Sequence, residues 1–154
     1  MRRYTFSLLF ALFALFALSY SHPTAFHSYV SFKGKSQGQF KGNSTKGRVK
    51  DGWFEITGFE MSSELPVDAK SRTTSGPRPH PPVTVHKELD EASPLLLNAH
   101  ANNETFETVI IQTVDDQNKI SKTTTLKNAL ISEIKKDGSI ESISFTYEQM
   151  TTQQ

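Results

Sequence analysis

Five histidines, His22, His27, His80, His86 and His100, are the side chains best suited to hold a transition metal, since the chain has no cysteine. Their spacing matches neither a zinc site nor an EF-hand loop. If the chain were cut after Ser21, His22 would become the amino terminus and could chelate copper with a second histidine. The simpler reading places His22 on a flexible end, His80 in a loop, His86 on a strand face and His100 on a helix. Neither a cofactor nor a metal is therefore expected. Glu88, Asp90 and Glu91 could form an acid/base pair, but carboxylates just before a helix more simply complement its N-terminal dipole. Ser93 lacks the Gly-x-Ser-x-Gly surroundings of a nucleophile and reads as a helix cap. No catalytic residue is assigned. Asn43 and Asn103 lie in glycosylation sequons that matter only in a eukaryotic secretory pathway.

The segment around Ser93 shows what positions these groups. Val83 to His86 alternates as a strand, Lys87 to Ala92 is an acidic link, and Pro94 sits well at the first position of a helix running to about Asn102. Leu95, Leu96 and Ala99 are expected to form its apolar face.

Elsewhere period-2 alternation dominates. Phe26, Ser28, Val30 and Phe32 share one side of a first strand, with His27, Tyr29 and Ser31 on the other. Lys33 to Asp51 is rich in Gly, Ser, Lys and Gln and reads as a loop or poorly ordered edge. Trp53 to Glu64 returns to strand, with Phe54, Ile56 and Phe59 facing a core and a bulge or bend at Gly58. Leu65 to Pro82 holds Pro66, Pro77, Pro79, Pro81 and Pro82 and excludes regular structure, since proline removes backbone donors. Thr105 to Val114 is a buried strand. Lys122 to Ile134 and Ser139 to Tyr147 form a hairpin turned by Asp137-Gly138. About six strands and one helix imply a mainly β fold: a small β-barrel or two packed antiparallel sheets, with a short lateral helix covering one end.

The amino terminus has its own logic. Met1-Arg2-Arg3 is basic, Phe6 to Leu18 is an uncharged run of apolar residues, and Ser19-Tyr20-Ser21 is suited to cleavage, so residues 1–21 read as a signal peptide cut between Ser21 and His22. The run is shorter than the roughly 20 residues a transmembrane anchor needs. After cleavage no stable membrane span is expected. Residues 22–154 are one domain. The leader carries two of the 17 Lys and Arg and none of the 16 Asp and Glu, which leaves the remainder close to neutral. Nothing in that balance draws the protein to nucleic acid or to an anionic membrane. An exported chain without cysteine must rely on its core and any subunit interface for stability.

The run Lys87-Glu88-Leu89-Asp90-Glu91-Ala92-Ser93-Pro94-Leu95-Leu96 resembles the signature of the Hcp family, the tube protein of bacterial type VI secretion, at Lys87, Glu88, Asp90, Ser93, Pro94 and Leu95. Phe32 to Gly38 is similar to the family's opening strand and turn, and Asp51 to Ile56 to the strand that follows. Thr74 to Pro82 resembles the end of its extended loop; Leu126 to Ala129 and Ile143 to Tyr147 resemble its last strands. The resemblance implies a non-enzymatic β-barrel protomer with a lateral helix that forms homo-hexameric, stackable rings. It also implies small effector proteins as possible lumen cargo, and an extended loop with Lys70, Arg72, Gly76, Arg78 and His80 reaching neighbouring protomers. With the leader, the expected location is secreted or periplasmic. The alternative function is a periplasmic or extracellular binding module that kept this fold without forming a firing tube.

Overall fold

The computed structural model describes residues 26–41, 51–61 and 80–154. The leader with Ser21 and His22, and loop residues Lys70, Arg72, Gly76 and Arg78, lie outside them.

Among the described residues, nine strands make one antiparallel sheet: β1 (His27–Gly34), β2 (Gly38–Gln39), β3 (Phe54–Ile56), β4 (Gly58–Met61), β5 (Val83–Glu88), β6 (Thr105–Val114), β7 (Ile120–Asp137), β8 (Ile140–Thr146) and β9 (Gln149–Gln153). The one helix among the described residues, α1 (Ser93–Ala101), lies between β5 and β6 and packs on β7. The strand order is β2-β1-β6-β7-β8-β5-β4, with β3 attached to β1 and β9 to β7. The expected six-strand barrel or pair of sheets is thus corrected to a single nine-stranded sheet whose terminal strands share no ladder. Thr57 alone separates β3, paired with β1, from β4, paired with β5. One short stretch therefore leans on both flanks of the sheet, and the break falls at Thr57 rather than at Gly58.

Alternation explains the interior. Val30 and Phe32 of β1, Val83 and Val85 of β5, Phe106 and Val109 of β6, Leu126 of β7, and Ile143 and Phe145 of β8 are all fully buried. Phe32 is the hub, with ring centroids 6.3 Å from Phe40, 5.5 Å from Phe54, 6.2 Å from Phe106 and 5.8 Å from Phe145. Phe26 precedes β1 and is exposed, so it does not join the Val30 and Phe32 side as expected.

Two local expectations change. Part of the Gly-rich stretch after Lys33 is ordered: Gly38 takes a positive φ of 72°, β2 folds back on β1, and Phe40 enters the core. The β7–β8 turn is one residue later than the Asp137-Gly138 pair, since Asp137 pairs with Ile140 and leaves Gly138-Ser139 between them, with φ of 60° at Gly138. The chain end adds a further strand: β9 pairs with the first half of β7, on the flank where β8 pairs with the second half.

Candidate functional site

Val83, Val85 and Lys87 share the inward phase of β5, and Glu141, Ile143 and Phe145 share that of β8. Lys87 and Glu141 are register partners, and both are fully buried. The Lys87 ammonium lies 2.8 Å from Glu141 Oε1 and 2.7 Å from Asp90 Oδ1, donates to the Glu88 carbonyl at 2.8 Å, and sits 5.9 Å from the Phe54 ring centre. Its three hydrogens are therefore satisfied, the condition under which a buried ammonium is tolerated.

Ser93 joins the same network and does not cap the helix with its side chain, correcting the expectation. Its hydroxyl donates to Glu141 Oε1 at 2.6 Å and accepts the Asp90 amide at 3.0 Å. The N-cap is Ala92, without a side-chain bond. Asp90 Oδ1 instead accepts the Ala92 amide at 2.9 Å. A charge-assisted bond to a buried carboxylate is stronger than a neutral cap bond, so the hydroxyl turns inward. Pro94 occupies the first turn as expected. Leu96 and Ala99 are buried, but Leu95 is 39% exposed and does not complete the buried face. Of the signature residues, Lys87, Asp90 and Ser93 converge on one buried carboxylate, while the side chains of Glu88, Pro94 and Leu95 remain exposed. The helix is thereby fastened to the β8 strand, 48 residues from Ser93.

A second polar clamp holds the β1–β2 turn. Glu104 Oε1 accepts the Ser36 amide at 3.0 Å and the Gln37 amide at 2.8 Å, and Oε2 accepts the Gln37 side-chain amide at 2.5 Å. The Glu104 carboxylate occupies the space beside Gly34, where a Cβ would collide with Glu104 Oε1 and lie 3.3 Å from Phe40 Cε1. Gly34 is thus glycine for close approach. Lys35, Asn98, Asn102 and Asn103 line the polar cleft beside this clamp. Burial pushes the Glu104 carboxyl up, but its bonds from Gln37 and Ser36 outweigh that effect and hold it below the usual carboxylate range.

A group whose folded pKa is depressed contributes stability above its unfolded value, near about 4.3, and loses it as pH falls through the folded value. Glu104→Gln places an amide opposite the Gln37 amide. It is expected to lower stability by about 1–3 kcal/mol at neutral pH, with the deficit shrinking as pH drops below about 4. Urea unfolding from pH 7 to pH 3 reads it; a deficit that does not vary with pH would mean that the Glu104 charge contributes nothing.

Three residues before β5, the exposed His80 ring stacks on Tyr147, with centroids 5.3 Å apart and planes at 12°. Burial pushes the Tyr147 phenol up. His100 Nδ1 lies 3.0 Å from the Ile131 carbonyl and fastens α1 to β7.

Sequence reasoning passed over Glu104 and Glu141. Glu141 was detectable, since it stands in phase with Ile143 and Phe145. Glu104 had no such signal, because it follows a turn and is fixed by partners 67 and 68 residues away.

The chain matches, over residues 29–154, the family described as "Type VI secretion system effector, Hcp". This chain belongs to the Hcp family. The "Major exported protein" of Pseudomonas aeruginosa is 32% identical over 120 residues, spanning 70% of each chain. Among solved structures, the secreted protein Hcp3 of P. aeruginosa aligns at a TM-score of 0.63 and 25% identity, covering 84% of this chain and 97% of that one. Hcp1 of E. coli EAEC 042 shares the fold at a TM-score of 0.65 and 21% identity, covering 82% of this chain and 97% of that one. Read on this Hcp chain, the Lys-Glu-x-Asp signature marks a buried polar joint between strand, helix and hairpin.

Proposed function

We propose that this Hcp chain is an exported structural protein of type VI secretion, a tube component that forms hexameric rings. The observation that carries the reading is the family match across residues 29–154, on a sheet and helix built as in solved Hcp proteins. The relative named for export supports a secreted location. Rings follow from a head-to-tail interface that closes, small effector proteins are the candidate cargo, and the role is not enzymatic.

The mature chain is expected to have six times the mass of a protomer by light scattering. Removing 70–78 should leave the domain folded and release monomers, because a segment rich in Pro, Gly, Ser and charged residues carries few of the apolar side chains that a core needs. A mature chain that stays monomeric at high concentration would instead favour the periplasmic or extracellular binding module. We further propose that residues 1–21 are a cleaved leader; the exported protein should then begin at His22 on N-terminal sequencing, and an intact Met1 would overturn that assignment.

A further inference from the structure

Both ladders of β5 begin at Val83, which pairs with Met61 of β4 and with Phe145 of β8. Pro81 and Pro82, just before it, have no amide hydrogen with which to extend either one. Beyond them the His80 ring lies nearly parallel on Tyr147. Tyr147 is a firm platform. It is only 9% exposed and belongs to the short β8–β9 link. There the Glu148 amide donates to the Lys127 carbonyl at 3.2 Å, and the Asn128 side-chain amide donates to Glu148 Oε2 at 2.6 Å. His80 itself is exposed, so the stack adds little to the core.

We propose that the His80–Tyr147 stack is a clamp that aims the preceding chain for ring assembly and is not needed for folding. The two prolines hold φ near a single value, so a ring fixed at His80 and a strand fixed at Val83 together set the direction in which the chain leaves the domain. The inference rests on the reading that residues 65–82 reach neighbouring protomers. A segment aimed in advance loses less freedom when it meets its partner, which tightens association without adding a contact. His80 is therefore a positioning residue that acts on its own protomer, in contrast to Lys70, Arg72 and Arg78, which the family resemblance sends to the neighbour.

The test compares His80→Ala, which removes the ring, with His80→Phe, which keeps a flat one. Because the chain has no cysteine, spin labels at Ser75→Cys and Ser139→Cys, the latter exposed in the β7–β8 turn, report where the segment lies relative to the sheet, in rings and in single protomers alike. His80→Ala should broaden the distribution of label distances, raise the concentration at which rings dissociate by about tenfold, and leave the urea midpoint unchanged. His80→Phe should restore the first two. An unchanged distribution in His80→Ala would show that the stack does not aim the segment, and a broadened one with unchanged dissociation would show that the aim does not serve assembly. Either result overturns the clamp and leaves the hexamer reading intact. A parent chain that never forms rings would overturn that reading, and the assembly role with it.

Discussion

Lys87→Met is expected to destabilise the domain by about 3–5 kcal/mol, because it leaves a buried carboxylate with no cation beside it. Glu141 is fully buried, its Oε2 has no partner among the described residues, and only Ser93 would remain on its Oε1. Glu141→Leu should cost less, since Lys87 keeps Asp90 at 2.7 Å and the Glu88 carbonyl. In the double variant Lys87→Met, Glu141→Leu the loss should be smaller than the sum of the two single changes, as apolar replacement of a whole buried pair is often near neutral. Urea midpoints for the three chains decide it. Additive losses would mean that the two charges do not act as a pair.

Phe32→Ala is expected to cost a comparable amount, about 3–5 kcal/mol, through lost transfer energy and the cavity left behind. Phe32 has four aromatic neighbours, drawn from β3, β6, β8 and the residue after β2. Removing it therefore loosens several joints at once. Phe26→Ala is the control: Phe26 is 60% exposed, and surface changes usually stay within about 0.5 kcal/mol. Equal effects of the two substitutions on thermal unfolding would contradict the central placement of Phe32.

The two residues also show what was legible in the sequence. Phe32 was visible as a core residue from alternation with Val30, and Thr105 to Val114 was readable in full because a β-branched run has few other uses. The Leu96 and Ala99 face of the helix was legible too. Leu95 was misplaced because the turn at Asp90 sets the rotation of the helix about its axis, and that turn depends on Lys87 and Glu141 meeting across strands. β2 and β9 escaped notice for a related reason: Gly38–Gln39 and Gln149–Gln153 carry little apolar alternation and are strands because β1 and β7 offer them open edges. Long-range pairing outweighs local preference at such edges. The polar clamps at Glu104 and Glu141 likewise depend on partners dozens of residues away. The family resemblance pointed to Lys87 and Ser93 without giving the chemistry that joins them.

The length of β7 has a mechanical consequence. Eighteen residues would reach roughly 60 Å at full extension, less the bends at Asn128, with its φ of 49°, and at the register shift between Ile131 and Glu133, and the strand is laddered to β6, β8 and β9 along nearly its whole course. A pull along the strand axis loads those hydrogen bonds in shear, all together, whereas a pull across it would open them one at a time. The domain is therefore expected to be stiff along β7 and weak across it. A subunit driven lengthwise would best withstand the stroke with this strand aligned to the direction of thrust.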